Sequence, residues 1–233
     1  MADKAFAGGL VFLHGSGDSG AGIADWLHGT SGGAFARRLQ EVGIKVVYPD
    51  APTIPYTLNG GYPQAVWFDR KAMAYDAPED AEGMERSLGI VDAEIDKLVE
   101  SGVPIERIGV AGMSMGGCLA LHAAYGGGRY AGRLGVAASL STFLAEDSCL
   151  DAAAKDRFCG EGAPKAAPLF MAHGTADGMI APQWAKKTRE RLEAAGVPAP
   201  AKLPLFQGLG HDMCPEEVSQ MTDFLITHLT SSS

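Results

Sequence analysis

Six short runs of apolar residues recur at wide intervals along the chain: Leu10–Leu13, Ile44–Tyr48, Ile108–Ala111, Leu134–Leu140, Leu169–Ala172 and Lys202–Phe206. Most are nearly continuous rather than alternating, as strands covered on both faces of a parallel sheet require. Between them lie stretches of helical period. Met84, Leu88, Val91, Ile95 and Leu98 step by four, three, four and three residues, which makes one apolar stripe, and Gly102 and Pro104 then stop it. Trp184 to Ala195 reads as a second helix, closed by Gly196 and Pro198. A last helix opens at Pro215 and turns Val218, Met221, Leu225 and Leu229 inward. Strands alternating with helices predict an α/β fold: an open, mostly parallel sheet with helices on both faces and right-handed crossovers.

The pattern leaves two long connections, Asp50 to Ala77 and Ser141 to Pro168. The first carries Tyr56, Tyr62, Trp67, Phe68 and Tyr75, and so reads as an ordered loop rather than a linker. No repeat or linker divides the 233 residues, so one domain over 1–233 is expected, with residues 1–8 and 231–233 as flexible tails.

Composition narrows the partners. Nineteen basic against 28 acidic residues give a net charge of −9, which disfavours nucleic acid and anionic membranes. No apolar run reaches the 18 residues of a membrane span, and the first residues lack the layout of a secretory signal. Four scattered cysteines, with no metal-type spacing to histidine, suit reduced thiols in the cytoplasm; a Cys149–Cys159 bridge stays open at this stage.

The chemistry centres on Gly112-Met113-Ser114-Met115-Gly116, set between the run Ile108–Ala111 and a helix over Cys118 to Tyr125. A strand, a sharp turn and a helix around G-x-S-x-G form the nucleophile elbow of α/β hydrolases. Glycine flanks the serine because the turn leaves no room for side chains, and the helix start offers unpaired amides to a developing oxyanion. A nucleophilic serine needs a base and a carboxylate that orients it, here in the chain order Ser, acid, His. Asp177 follows the run Leu169–Ala172, and His211 follows Leu205-Phe206 and precedes the last helix. Each position alone suits a capping carboxylate or a surface histidine; order and strand-end placement together select Ser114, Asp177 and His211. Asp212 is the rival acid, but as the neighbour of His211 it should point away. His173 reads as loop-shaping, and Asp18 and Asp69 as loop-structuring. The glycine-rich loop His14-Gly15-Ser16-Gly17-Asp18-Ser19-Gly20 can aim a second amide, so Ser16 and Met115 are the expected oxyanion donors. It lacks the G-K-[ST] of a phosphate loop.

The motifs His14 to Gly20, Val66-Trp67-Phe68-Asp69-Arg70, Gly112 to Cys118 and His173-Gly174-Thr175-Ala176-Asp177 together resemble the acyl-protein thioesterase/carboxylesterase family of α/β hydrolases. The Ser-Gly-Asp-Ser-Gly and Trp-Phe-Asp-Arg variants are most similar to its lysophospholipase-like branch. The resemblance runs from about Leu10 to the last helix and implies an α/β-hydrolase domain without a large cap. It implies a serine esterase or thioesterase with the triad and oxyanion donors named above, and Trp67 and Phe68 in an aromatic loop beside the acyl site. It further implies no metal and no organic cofactor, small acyl ester or thioester substrates, S-acylated proteins among them, and a cytoplasmic enzyme. A monomer or weak homodimer is expected. Where many members carry leucine after His-Gly this chain carries Ser16, which favours short to medium acyl chains over long-chain depalmitoylation or lysophospholipid hydrolysis. A catalytically silent hydrolase fold used for binding is the rival from another class.

Overall fold

The computed structural model describes residues 6–230. Six strands form one sheet: β1 (Gly8–Leu13), β2 (Ile44–Val47), β5 (Ile108–Met113), β6 (Val136–Leu140), β7 (Leu169–Gly174) and β8 (Leu205–Phe206). Their order is β2-β1-β5-β6-β7-β8, and every pairing is parallel. β1, β5, β6 and β7 are buried at every position, which is why they lack alternation in the sequence. A short antiparallel hairpin, β3 (Thr53–Pro55) with β4 (Pro63–Ala65), lies in the aromatic connection.

Two apolar cores cover the two faces. On one, Ile23 and Leu27 of α1 (Gly20–Ser31), Phe35 and Leu39 of α2 (Ala34–Glu41), and Val218 to Leu229 of α7 (Pro215–Thr230) pack on Leu10, Phe12 and Ala138. On the other lie α3 (Ala81–Glu100), α4 (Met115–Tyr125), α5 (Leu150–Phe158) and α6 (Pro182–Ala194), against Val11, Val110 and Met171.

From β1 the chain moves outward to β2, then crosses back to β5 and continues the other way through β8. The direction of winding reverses between β1 and β5, and the gap at their carboxyl ends is where such sheets bind ligands.

The boundaries differ from the sequence expectation in places with physical causes. The N-terminal tail is shorter than expected: the Ala7 amide bonds to the Gly43 carbonyl at 2.8 Å, and β1 begins at Gly8. Residues 1–5 and 231–233 lie outside the described residues. β8 covers two residues rather than five because Pro204 has no amide to pair. Helix α5 lies inside the expected connection Ser141 to Pro168, and α1 and α2 are helices that the sequence pattern did not single out. α1 is rich in glycine, a poor helix former, and relies on the Ser19 hydroxyl, which accepts the Gly22 amide at 3.0 Å. α5 buries Leu150, Ala154 and Phe158, a four-residue step inside an Ala- and charge-rich stretch. All four cysteines are unpaired.

One buried group makes stability depend on pH. The Glu217 side chain on α7 is buried, and neither oxygen has a well-formed hydrogen bond among the described residues. Burial pushes its pKa up to about 8 from an ordinary 4.5; the charge of Asp212 adds to the rise and the nearby Cys214 amide opposes it. Between those two values the folded chain holds a proton that the unfolded chain has released, so stability falls as pH rises from about 4.5 to 8. Glu217→Gln, neutral throughout, should exceed the parent in stability at pH 8 by roughly 2–5 kcal/mol, a gap that closes towards pH 5. Thermal unfolding at both pH values checks this; a gap independent of pH contradicts it.

Candidate active site

Every chemistry-bearing loop leaves a strand at its carboxyl end. β5 runs into Ser114, whose φ of 55° and ψ of −121° lie where a side chain is strained. The turn is clamped on both sides of that residue. The Ser114 amide donates to the Leu140 carbonyl at 2.9 Å, and the Ser114 carbonyl accepts the Thr142 hydroxyl at 2.6 Å and the Cys118 amide at 3.1 Å. Glycine is obligatory beside it. A Cβ on Gly116 would stand 2.3 Å from the Leu13 carbonyl oxygen, and one on Gly112 would stand 2.4 Å from the Gly116 carbonyl. Met115 opens α4, so its amide belongs to the first turn, where the helix supplies no acceptor.

The loop after β1 stands directly against this turn. A Cβ on Gly15 would meet the Ser114 Cβ at 3.4 Å and its Oγ at 3.9 Å. The Ser16 hydroxyl lies 3.6 Å from the Met115 sulfur, so the two residues expected to supply the oxyanion amides touch through their side chains. The loop is held from behind. The Ala51 amide donates to His14 Nε2 at 3.0 Å, which leaves Nδ1 to donate to the Gly15 carbonyl at 2.7 Å, and the Gly17 amide donates to Ala65 of β4 at 2.8 Å.

Asp177 and His211 meet as the sequence order predicts. His211 Nδ1 lies 2.8 Å from Asp177 Oδ2, while Asp177 Oδ1 accepts the amides of Met179 and Ile180 at 2.9 Å each. The carboxylate is enclosed and held by both oxygens, whereas the imidazole keeps contact with solvent. His173 lies beneath, its Nε2 donating to the Ile180 carbonyl at 2.9 Å with Asp177 Oδ2 at 3.2 Å. Burial lowers the His173 pKa, against the pull of that hydrogen bond and of Asp177, so His173 brings no second positive charge to the carboxylate. Asp212 turns away from His211 and accepts the Trp26 indole N–H at 3.1 Å.

Ser114, His211, Ser16 and Met115 line one cavity of about 330 Å³. Its remaining wall is largely apolar: Tyr56, Leu58, Met73, Met113, Met179 and Ile180. Methionines adapt to irregular ligands, and the volume lies at the small end for ligand sites. Arg70 also lines it, a residue that sequence reasoning placed in a motif without giving it a role.

Trp67 and Phe68 do not line that cavity. Trp67 is fully buried, its indole N–H donating to the His14 carbonyl at 2.8 Å and its own carbonyl accepting the Ser87 hydroxyl. Phe68 is buried beneath the Arg70 guanidinium, 5.1 Å from ring centre to cation. Both rings thus stand behind the residues that line the cavity, as apolar filling under their loops. Asp69 structures its loop as expected, accepting the Thr57 amide at 2.8 Å and pairing with Lys71 at 2.6 Å.

Among the described residues, one group could hold a metal: Glu79, His122 and Cys149, with ligand atoms within 4.8 Å of one another. Its capacity is already used. Glu79 accepts the Ser148 hydroxyl at 2.7 Å and the Cys149 amide at 3.0 Å, with His122 Nε2 at 3.1 Å. Burial opposes charge on both partners, yet the bonds from His122 and Ser148 bring Glu79 down to about 2, and contacts with Cys118, Cys149 and Glu79 raise His122. None of the three lines the Ser114 cavity.

Trp67→Phe removes the donor to His14 and leaves a buried carbonyl unpaired, so a loss of about 1–3 kcal/mol is expected. Denaturant unfolding measures it; a variant as stable as the parent shows that the indole does not hold the loop.

The profile of the phospholipase/carboxylesterase family matches residues 2–229. Lysophospholipase-like protein 1 of Mus musculus is 34% identical over 221 residues, which cover 94% of this chain and 86% of the mouse protein. Acyl-protein thioesterase 1 homolog 1 of Dictyostelium discoideum is 30% identical over 220 residues, 93% of this chain and 88% of its own. Among solved structures, acyl-protein thioesterase 2 of Zea mays superposes with a TM-score of 0.73 at 27% identity, covering 98% of this chain and 96% of that one. A single-residue variant of SOBER1 from Arabidopsis thaliana gives 0.79 at 25% identity, covering 95% and 99%. With the strand order, the strained serine and the match over nearly its whole length, the chain belongs to the phospholipase/carboxylesterase family and is a serine hydrolase of the α/β-hydrolase fold.

Proposed function

We propose that Ser114, His211 and Asp177 are the catalytic relay, and that the enzyme cleaves carboxylic esters and thioesters of short to medium acyl groups. The observation that carries this reading is the 2.8 Å contact of His211 Nδ1 with an enclosed Asp177, on a ring that shares one cavity wall with Ser114. A carboxylate only accepts, so Nδ1 carries the proton and Nε2 is left basic. His211 Nε2 takes the Ser114 proton as the oxygen attacks the acyl carbonyl, and Asp177 stabilises the imidazolium. The amides of Ser16 and Met115 receive the oxyanion. The alcohol or thiol then leaves with the proton from His211. Water enters by the same steps in reverse and releases the acid.

The cavity supports the acyl preference: about 330 Å³, walled by methionine and aliphatic side chains. Relatives named as acyl-protein thioesterases support thioesters, those of acylated proteins included, as substrates beside esters. With four unpaired thiols, two of them exposed, the protein suits a reducing compartment, and we place it in the cytoplasm. No helix among the described residues is long and apolar enough to cross a membrane.

Ser114→Ala should abolish turnover of p-nitrophenyl butyrate, and Asp177→Asn should lower kcat by up to about 10⁴-fold through loss of the tautomer lock. An active Ser114→Ala enzyme overturns the assignment. In a series of esters and thioesters from two to sixteen carbons, kcat/KM should peak at or below the middle of the range. A peak at sixteen would instead assign a long-chain depalmitoylase or lysophospholipase.

A further inference from the structure

Arg70 is nine-tenths buried, with 9% of its surface exposed, yet it has no ion pair and no hydrogen bond among the described residues. Its guanidinium lies between the rings of Phe143 at 4.4 Å and Phe68 at 5.1 Å. Removing a cation from water is costly without a counter-charge, and stacking on phenylalanine recovers only part of that cost.

The carboxylates near it in the chain are committed elsewhere. Asp69 is bound to Thr57 and Lys71, Asp80 accepts the amides of Asp69 and Gly83, and Glu79 serves His122, Ser148 and Cys149. Asp18, on the cavity wall, lies against the first turn of α1: a Cβ on Gly22 would meet its Oδ1 at 1.9 Å. Arg70 lines two cavities: a small one that it shares with the committed carboxylates of Asp69, Glu79 and Asp80, and the larger one that holds Ser114. A planar fork of N–H donors, fixed between two rings, is built to take a carboxylate in two parallel hydrogen bonds. In a chain of net charge −9, such an unpaired cation on the wall of the Ser114 cavity runs against the overall field.

We propose that Arg70 is an anion subsite of the acyl cavity, and that preferred substrates carry a carboxylate near the scissile bond. The proposal rests on Ser114 being the nucleophile. The carboxylate can belong to the acyl group, as in a half-ester of a dicarboxylic acid, or to the leaving group, as in a thioester of a mercapto acid. Either source offers the same two oxygens to the guanidinium.

Two matched pairs separate the sources. The acyl pair is the p-nitrophenyl monoester of adipic acid against p-nitrophenyl hexanoate. The leaving-group pair is butyryl 3-mercaptopropionate against butyryl 3-mercaptopropionamide. Spontaneous hydrolysis is subtracted with Ser114→Ala. In at least one pair, Arg70→Met should reduce the charged-to-neutral ratio of kcat/KM by about 10- to 100-fold, with Arg70→Lys in between. A ratio changed less than twofold in both pairs overturns the proposal and leaves Arg70 as packing, while turnover of the neutral esters keeps the Ser114 reading intact. A parent enzyme inert to all four compounds removes both readings. Should Arg70→Met fail to fold, the parent protein decides. Adipate should slow fluorophosphonate labelling at concentrations where adipamide does not, and equal protection overturns the proposal.

Discussion

The close approach of two backbones, the β5–α4 turn and the loop after β1, is the constraint on which the site depends. Gly116 passes so near the carbonyls of Leu13 and His14 that any side chain there would collide with main chain rather than with a movable group. That approach sets Gly15 against Ser114 and Ser16 against Met115. The cost is a serine with positive φ, and the structure holds it through hydrogen bonds at its amide and its carbonyl, one from Thr142 on the adjacent strand end. These bonds hold the strained Ser114 in place at the end of β5.

Electrostatics complete what the backbone begins. Asp177 is closed off from solvent and committed on both oxygens, so His211 has one orientation open to it. His173, kept from protonation by burial, fills the space below without competing for that charge. Behind the loop after β1, His14 and Trp67 serve as struts, their rings 5.0 Å apart. The buried carboxylates of Asp177 and Glu79 are each paired with an imidazole. Arg70 stands apart because its guanidinium has two rings against it and no carboxylate within ion-pair distance among the described residues.

How much of this was legible in the sequence follows from what each feature depends on. The central strands announced themselves because full burial leaves uninterrupted apolar runs, as in Ile108 to Ala111. The meeting of Asp177 with His211 was legible because chain order and strand ends are one-dimensional facts. Helix α1 was not, since Gly20, Gly22 and Gly29 mask its period and a serine cap compensates. For Trp67 and Phe68 the sequence does not reveal which side of a wall each ring occupies; the indole N–H of Trp67 turns to the His14 carbonyl and Phe68 lies under Arg70. The isolation of Arg70 was equally hidden, because it turns on where the carboxylates of Asp69, Glu79 and Asp80 point.

The central claim is that one hydroxyl, raised on a strained turn and served by one imidazole, is the only reactive oxygen of this cavity. Covalent labelling with a fluorophosphonate, followed by intact mass and peptide mapping, tests it most directly. The account predicts one adduct per chain, mapped to Ser114 and lost when His211 is replaced by alanine. An adduct at Ser16 or Ser19, or labelling of Ser114 at an undiminished rate without His211, would contradict it.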